Sequence, residues 1–508
     1  MSVARFFVAS AAVALLCSAP EAGAGGGRAA VASVDHTFSG NLTLDQAVRI
    51  ALRQNPDLLK QLQEIERTRG QIIEVRAEAL PHLTLQGTYD QRAKELFEQG
   101  SGSGSVNFRS GVSTTDTAQL DPTIAAILKS LGGSSGSSQS IQNKSWQITL
   151  QLQQVLYAGG QVGAAIRIAK FAEDAAYFQL RDTIDQVVAV VRSQFTAVLT
   201  NRALINVAEE TVKLQGDLLR DQTNRFEAGT VPRFNVLRAE VELANVQPDL
   251  IRARNNYLLA EIALAKTLGI DPGLGGKPTF NVIGSLGIAD RPLGLQSALE
   301  LARARRPFLK VQRQKILQQT EQIKVALAGY KPRLDANAGY ELRNSRLSRD
   351  LDRTVDGWFF GLTGQWNIFD GLATQGRVKQ ARAQLESARI NYSDSVQKVD
   401  LEVQTAYANL QTARETIRSQ QKNVEQAKES LRLANERFSA GAGTQLEVLD
   451  ARTALTKARS TELQSRGDYN SALAEFDRAT ATDTVYAESF HDPLEKLERK
   501  VLPERKKK

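Results

Sequence analysis

The sequence predicts an α+β membrane protein in which long coiled-coil helices make up most of the chain and four β-strands contribute to a barrel. Three observations predict this class: an internal duplication, two proline-free helical stretches of 68 and 63 residues, and two pairs of segments with strand-like alternation. Because both copies carry helix and strand signals in the same order, we expect one large unit used twice. A solenoid is disfavoured, since its repeats reach only ~50 residues.

The duplication appears at two sequence offsets. Residues 42–61 align with residues 293–312 at an offset of 251, with seven identities in twenty positions. Residues 225–239 align with residues 437–451 at an offset of 212, with seven identities in fifteen. The offsets differ by 39, so the first copy carries about 39 additional residues between its two predicted strands.

These offsets divide the chain into segments. The additional residues of the first copy are rich in glycine and serine, so we expect a flexible surface loop over residues 90–145. In each copy a helix precedes the two strands, and long helices follow over residues 161–268 and 376–480. The predicted boundaries are 1–24 for a signal peptide, 25–280 for the first structural repeat, 281–480 for the second repeat and 481–508 for a basic C-terminal tail.

The first residues are typical of a secretory signal. Arg5 precedes an apolar run over residues 6–16, and Ala-Gly-Ala at residues 22–24 is a small-residue cleavage site. The run is shorter than the ~20 residues that a transmembrane helix needs, which disfavours an anchor. Lipidation at Cys17 is an alternative, although Leu16 stands where a lipidation signal needs a small residue.

The composition excludes several classes of function. After cleavage the chain contains no Cys and no Met, which excludes disulfides, thiolate chemistry and soft-metal sites. The histidines at positions 36, 82 and 491 are not spaced like a metal site. About half of the net charge of +8 lies in the last 14 residues, 495–508, so the charge does not indicate nucleic acid binding. We therefore expect no metal, no cofactor, no nucleic acid partner and no enzymatic activity.

Heptad spacing predicts that the long helices pack as coiled coils. Every seventh residue is apolar from Val396 to Phe438 and again from Ile184 to Phe226. The second seam row is mostly alanine in the second copy, but polar in the first copy, where it includes Gln215. A polar row indicates looser, wetter packing or a face turned to water. At ~1.5 Å per residue each stretch spans on the order of 100 Å.

Each long helix ends at a glycine turn, at Gly229 in the first copy and at Gly441 in the second. Glycine just past a helix end is typical of a C-cap, and Pro232 is suited to opening the helix that returns. Pro248 is expected to kink this returning helix in the first copy, because Ser460 stands at its counterpart in the second.

Two pairs of short alternating segments predict the strands, at residues 83–89 and 146–152 and at residues 334–342 and 358–368. Their lengths are close to the ~9–11 residues of a tilted membrane strand. All three tryptophans of the chain lie in these segments, which favours an interfacial aromatic girdle over a soluble hairpin. The girdle residues are Tyr89, Trp146, Tyr340, Trp358 and Trp366.

Four strands are too few to close a membrane barrel. Such barrels begin at ~8 strands, and an open sheet edge is not tolerated in lipid. The chain is therefore expected to oligomerise, and three copies would complete a trimeric 12-stranded β-barrel.

The chain resembles the TolC family of outer-membrane efflux proteins (outer membrane factors) over about residues 42–480. The most specific matches are Arg-Phe-x-Ala-Gly at residues 225–229 and 437–441, and Gln-Leu-Glu-Val-Leu-Asp-Ala at residues 445–451. The resemblance implies a homotrimeric channel-tunnel, in which the barrel in outer-membrane lipid continues as a periplasmic α-barrel. It also implies two partners, a periplasmic adaptor (membrane fusion protein) and an inner-membrane pump.

The resemblance further implies roles for residues at the helix tips. An acidic pair after the second tip maps to Glu447 and Asp450, where three copies would form rings that select cations. The other interpretation is a solvated acidic pair that the helix dipole favours. Arg225 and Arg437 are candidates for salt bridges that lock this gate. The adaptor-docking tips would be Gly229, Thr230, Val231, Pro232, Gly441, Ala442, Gly443 and Thr444.

The function that these features predict is a passive exit duct across the periplasm and outer membrane, used in efflux or in type I secretion. A structural or adhesive periplasmic coiled-coil protein with a β-strand membrane anchor is the alternative, and a soluble periplasmic adaptor is a third.

Overall fold

The computed structural model describes residues 40–91, 144–271, 278, 280–289, 291–292, 294–344 and 354–482. The predicted signal peptide with Cys17, most of the predicted loop over residues 90–145 and nearly all of the basic tail lie outside these residues. Within them the chain is mostly helical with some strands, which confirms the coarse fold class.

The described elements follow one another along the chain in a regular order. They are β1 (Gly40–Leu42), α1 (Leu44–Gln54), α2 (Pro56–Ala77), β2 (His82–Gln91), β3 (Lys144–Ala158), α3 (Gln161–Glu227), α4 (Arg233–Leu268), β4 (Phe280–Val282), α5 (Leu295–Arg305), α6 (Pro307–Leu327), a 3₁₀ turn (Ala328–Tyr330), β5 (Arg333–Asn344), β6 (Thr354–Gln365), α7 (Ala373–Ser439) and α8 (Gln445–Thr480).

The helices come in pairs of matching length. Both α3 and α7 have 67 residues, and both α4 and α8 have 36. The shorter α1 and α5 have 11 residues each. Pro248 lies inside α4, which continues on both sides of it. In the described part of the chain, no helix combines the length and the apolar character needed to cross a membrane.

The described residues form two compact units. The first unit contains the described residues within 40–67, 173–315 and 388–482, and the second contains those within 68–172 and 316–387. In the first unit β1 pairs in parallel with β4, with Gly40 opposite Phe280.

The first unit has a core around this strand pair. Burial of each large apolar side chain contributes about 1.5–3 kcal/mol, so the buried apolar residues of this core hold α1, α3 and α4 against β1 and β4. The helix α1 begins with a capping box, in which the Thr43 hydroxyl and the Gln46 side chain each bond the other residue's backbone N–H. The fully buried residues of this core include Leu42, Val48, Val191, Val198, Leu264, Leu268 and Val282.

A second core of the same unit follows the heptad seam of α7. Val403, Leu410 and Ile417 are buried, as the spacing predicts, and they pack with Tyr469 and Phe476 of α8. The Tyr469 hydroxyl donates to the backbone carbonyl of Ala289 at 2.6 Å. These residues form one buried apolar cluster along this stretch of α7, on the face that the heptad spacing predicts.

The sequence left two expectations for the polar seam row of α3: looser, wetter packing or a face turned to water. The second expectation is wrong at two positions. Gln215 and Gln222 are buried, with 6% and 3% exposure, so this row does not face water at these positions. The Oε1 atoms of Gln194, Gln215 and Gln222 have no hydrogen-bond partner among the described residues. The sequence pattern could not separate the two expectations, because helix spacing gives the face of a residue but not what covers that face.

The second unit contains a four-stranded antiparallel sheet in the order β2-β3-β5-β6. Its register places Leu85 opposite Leu150, Leu150 opposite Tyr340, and Tyr340 opposite Trp358. A register shift between Val155 and Tyr157 interrupts β3 near its end. Because side chains alternate along each strand, this register assigns every residue to one of two faces.

One face of the sheet is apolar and the other polar. Leu85, Trp358 and Phe360 on the apolar face are 67%, 81% and 64% exposed in the single chain. The apolar face carries Leu83, Leu85, Tyr89, Trp146, Ile148, Leu150, Leu152, Leu334, Ala336, Ala338, Tyr340, Leu342, Trp358, Phe360 and Leu362. The polar face carries Thr84, Gln86, Thr88, Gln147, Thr149, Gln151, Gln153, Asp335, Asn337, Glu341 and Arg343, with Val155, Val355 and Phe359 as apolar exceptions. The polar residues Gln154 and Asp356 in turn lie on the apolar face.

A network of charged side chains lies within the first unit. Arg306 is only 6% exposed, pairs with Glu402 at 2.9 Å and donates to the backbone carbonyl of Ala479 at 3.1 Å. Arg478 bonds both Glu402 and Glu475. Charges this far from water are tolerated when they are paired and hydrogen-bonded, as they are here.

The network shifts two carboxyl pKa values in opposite directions. Burial raises the pKa of Asp182 above its ordinary value, although Arg306 and Arg478 act in the other direction. The hydrogen bonds from Arg478 lower the pKa of Glu475. Folding thus disfavours the charged form of Asp182 and favours that of Glu475.

We predict that Asp182→Asn and Glu475→Gln change thermal stability with opposite signs. Because folding raises the pKa of Asp182, the charged carboxylate destabilises the folded state at about pH 7, and this cost disappears only as the pH falls. The neutral side chain of Asp182→Asn removes the cost, so the variant should have a higher melting temperature at about pH 7. A lowered folded-state pKa adds stability above the unfolded pKa and loses it as the pH falls through the folded value. Glu475→Gln therefore lowers the melting temperature at about pH 7.

Both differences should shrink toward zero when the pH lies below the folded-state and unfolded-state pKa values of both carboxyls, where each is protonated in both states. Melting curves of the detergent-purified variants at several pH values measure this. Glu425→Gln, at an exposed position of α7, is the control and should leave the curve unchanged. Shifts of the same sign for the two variants would contradict the assignment.

Candidate functional site

The first candidate site is the pair of turns that end α3 and α7. Gly229 and Gly441 adopt left-handed φ angles of 71° and 74°. After α3 the N–H of Gly229 bonds the carbonyl of Phe226, and the N–H of Thr230 bonds that of Arg225, both at 2.9 Å. This is the Schellman arrangement, in which a left-handed residue closes the last turn of a helix.

The turn after α7 repeats this geometry. The N–H of Gly441 bonds the carbonyl of Phe438 at 3.1 Å, and that of Ala442 bonds Arg437 at 2.9 Å. A Cβ atom on Gly229 or Gly441 would meet no atom within 4 Å, so the backbone angle alone favours glycine there. Gly443 differs, because its Cβ would lie 3.1 Å from both Arg437 Cβ and Phe438 N.

The returning helices begin differently. In α8 the Thr444 hydroxyl caps the helix by accepting from the N–H of Glu447 at 3.3 Å. In α4 the N-cap is Pro232, which offers no side-chain cap, and the helix begins at Arg233. The sequence predicted that Pro232 opens this helix. In the structure Pro232 is the N-cap, one position before the first helical residue. The turn residues Thr230, Pro232, Ala442 and Thr444 are exposed.

The acidic pair lies in the first turn of α8. Glu447 is half-exposed and pairs with Arg437 at 3.6 Å, so this ion pair joins the end of α7 to the start of α8. Asp450 is exposed on the same helix face, three residues further on. Arg437 also donates to the carbonyl of Ala442 at 3.4 Å.

The two arginines suggested by the sequence occupy different settings. Arg437 contacts one member of the acidic pair, whereas Arg225 pairs with Asp221 at 3.0 Å within its own helix. Asn235 and Arg238 stand in the first copy at the positions that correspond to Glu447 and Asp450. Within a single chain the structure therefore brings together Arg437 and Glu447 only.

The predicted aromatic residues occupy three levels of the sheet. Tyr89 stands opposite Trp146 at one end, and Tyr340 opposite Trp358 further along. Trp366 follows the end of β6, where its indole Nε1 donates to the carbonyl of Tyr330 at 3.1 Å. The Tyr340 hydroxyl bonds Asp356, a partner that the sequence did not reveal because it comes from the neighbouring strand.

Sequence reasoning also missed the charged network of the first unit. Arg192 pairs with Asp477 at 2.8 Å, and the two residues are separated by 285 positions. Spacing along one helix carries no signal for such a pair, because the partners come from different helices. Among the described residues, no group of three or more metal-ligating side chains is present.

Comparisons with known proteins define the class. The family model described as "Outer membrane efflux protein" matches residues 47–270 and 298–482. Nodulation protein T of Rhizobium leguminosarum bv. trifolii is 21% identical over 426 residues, 82% of this chain and 81% of that protein. Outer membrane protein TolC of Escherichia coli K12 is 24% identical over 456 residues, 85% of this chain and 82% of that protein.

A solved structure supports the same fold. The Campylobacter jejuni CmeC outer membrane channel superposes with a TM-score of 0.67 at 18% identity, covering 86% of this chain and 85% of that one. The chain belongs to the outer membrane efflux protein family. It is thus a TolC-family channel protein of the outer membrane that extends into the periplasm.

We predict that Gly229→Ala and Gly441→Ala loosen the turns. An alanine in the left-handed region costs about 1 kcal/mol, and no clash adds to it. Amide hydrogen exchange should therefore quicken at residues 226–231 or 438–443, by about fivefold for 1 kcal/mol.

The matched control is Gly216→Ala, inside α3. No atom lies within 4 Å of a Cβ there and the backbone is helical, so this change should slow local exchange. If exchange at both turns is the same in the alanine variants as in the wild type, the left-handed backbone angles do not stabilise these turns.

Proposed function

We propose that three copies of the chain close one 12-stranded β-barrel, which continues as a periplasmic α-barrel, and that this trimer is the passive exit duct of a tripartite efflux or type I secretion system. The observation that carries the proposal is the two-faced sheet. It has an exposed apolar face, a polar face, and edge strands that a single described chain leaves unpaired.

The edges favour assembly into a ring. Strands β2 and β6, with 10 and 12 residues, lie at opposite edges of the sheet. The four strands alternate in direction, so β6 of one copy would meet β2 of the next in antiparallel orientation. In lipid every backbone N–H and C=O group needs a partner, which a closed ring supplies.

The faces fit a barrel in lipid. The apolar face would contact hydrocarbon, and the polar face, with its amides and hydroxyls, would line a wet lumen. Trp358 and Trp366 are eight positions apart, roughly 26 Å along a strand at about 3.3 Å per residue. At the ~35–45° tilt of barrel strands this is roughly 20 Å along the membrane normal, comparable with the ~25 Å of an apolar membrane band, and it supports interfacial positions for Trp358 and Trp366.

The chain is also proposed to be an internal duplication, with repeats over residues 25–280 and 281–480 after a signal peptide over residues 1–24. The matched lengths of α3 and α7, and of α4 and α8, support this. The two repeats of each chain contribute four long helices, so the proposed trimer would have an α-barrel of twelve.

The glycine turns are proposed as the surface that meets the periplasmic adaptor, and the inner-membrane pump would supply the energy. Glu447 and Asp450 are proposed to narrow the periplasmic entrance as acidic rings. The Arg437–Glu447 ion pair supports a closed state in which part of the acidic charge is held by the preceding helix. Both groups are exposed, so this pair contributes little to stability and is easily broken.

The acidic rings predict cation selectivity. In planar bilayers, pores of the detergent-purified protein should be cation-selective, and Glu447→Ala/Asp450→Ala should lose selectivity or divalent-ion block. The control, Asp57→Ala/Glu64→Ala, removes the same charge from exposed positions of α2.

Three outcomes are informative. Pores indifferent to the acidic double variant would keep the channel and discard the gate. Pores equally altered by the control would assign the effect to net charge. If no pores form, export in cells carrying bulky replacements at Gly229 and Gly441 decides, since intact export would favour a structural or adhesive role.

The sheet predicts a sharp difference between neighbouring positions of β2. Leu85→Arg places a charge on the apolar face, where near the bilayer centre it costs about 2–4 kcal/mol. Gln86→Arg places the same charge on the polar face and should cost far less. Refolding yield into phospholipid vesicles and the urea midpoint of the refolded trimer measure the difference. Equal losses for the two variants would contradict the assignment of the faces.

A further inference from the structure

A pocket of about 480 Å³ lies at the end of the sheet where the strands meet the helices. Ala158, Arg333 and Gln365 line it, and these three residues form the last row of the sheet. Arg333 shares its face with Asp335 and the other odd-numbered residues of β5, so the pocket opens on the polar face. Its volume lies in the ~300–1,000 Å³ range of small-molecule sites.

The lining of this pocket is cationic and rich in amides. Lys331, Arg333 and Arg377 contribute to it, and its fifteen residues include no carboxylate. Side-chain amides supply further N–H donors from helices and strands alike. These are Gln161, Gln322, Gln365, Asn367, Gln380 and Gln384.

Nearby carboxylates hold the cations in place from outside the lining. Asp335 accepts from Nε of Arg333 at 2.8 Å, and Asp370 lies 3.6 Å from Nη2 of Arg377. Glu78 also acts electrostatically on Arg333. Because Asp335 binds the Nε edge, the two Nη groups of Arg333 are left to donate elsewhere.

Lys331 is the least committed cation of the pocket. Within the described residues it forms no ion pair, and its backbone is fixed by a bond to Ala328 at 3.0 Å. Gly159 permits the close approach of these segments, since a Cβ there would lie 2.9 Å from both Lys331 Cβ and the Ala328 carbonyl oxygen. The ammonium group thus stands on a well-defined backbone.

We propose that this pocket binds a phosphate-bearing anion. Guanidinium and ammonium groups bind phosphate by charge-assisted hydrogen bonds, and the surrounding amides supply neutral donors. In the proposed trimer, three such pockets would form a basic collar at the helix end of the barrel lumen. The anion would be cargo in transit only if the chain forms the proposed channel. Binding of the anion to the pocket does not depend on that proposal.

Isothermal titration of the detergent-purified protein with inorganic pyrophosphate tests the site. Wild type should bind, and Lys331→Gln/Arg377→Gln should weaken binding by about tenfold or more, because two charged donors are lost. Lys379→Gln is the matched control, since Lys379 is an exposed cation of α7 outside the lining. It should bind like wild type.

The single variant Lys331→Gln guards against misfolding of the double variant, because Lys331 supports no ion pair in the described chain. It should weaken binding by several-fold. No heat with millimolar pyrophosphate, or equal affinity in wild type and both pocket variants, would overturn the proposal. Pore conductance of the same variants separates this outcome from failure of the channel, since a defective pocket leaves pores that still conduct.

A second arm identifies the source of the phosphate. The titration is repeated in nanodiscs of phosphatidylethanolamine, with and without phosphatidylglycerol. Equal pyrophosphate affinity in both would support a soluble anion reaching the polar face. Weaker apparent affinity in the presence of phosphatidylglycerol would support the same phosphate site, filled by a lipid headgroup.

Discussion

The pairing of backbone hydrogen bonds at the edges of the four-stranded sheet is the constraint on which the rest of this molecule depends. One face of the sheet is too apolar to remain in water, with Trp358 and Leu85 largely exposed in the single chain. Strands β2 and β6 nevertheless end the sheet with unsatisfied groups, each of which costs several kcal/mol in hydrocarbon. The closed ring of copies proposed above would satisfy both demands together.

The long helices α3 and α7 bury different side chains along their seams. The α7 seam buries Val403, Leu410 and Ile417 in one apolar cluster with residues of α8. In α3 the other seam row buries the Oε1 atoms of Gln215 and Gln222 without partners in the described chain, where α7 has Ala427 and Ala434. An unsatisfied buried acceptor costs about 1–3 kcal/mol, so these two positions of α3 are less favourable than the alanine positions of α7.

The ends of the long helices combine a fixed backbone with an easily changed charge pair. The Schellman bonds at Gly229 and Gly441 define each turn by backbone geometry alone. The Arg437–Glu447 pair is exposed to solvent at 3.6 Å, and such pairs contribute only about 0–1 kcal/mol. The turn can therefore keep its shape while the ion pair forms or breaks.

The sequence by itself determined the features that depend on local periodicity. Heptad spacing predicted the long helices, alternation predicted all four strands of the sheet, and the position of Gly229 and Gly441 predicted the turns. Alternation also separates the two faces of each strand, because successive side chains point to opposite sides. The family resemblance followed from short motifs at the same turns.

Only the tertiary structure decided which residues from distant parts of the chain meet. It placed Arg437 on Glu447 but Arg225 on Asp221, and it buried the glutamines of α3 that the pattern left open. It also gathered Lys331, Arg333 and Arg377 around one pocket. Periodicity fixes the direction in which a side chain points from its own element. The partner that it meets depends on how elements pack, and packing is set by the whole chain rather than by any one segment.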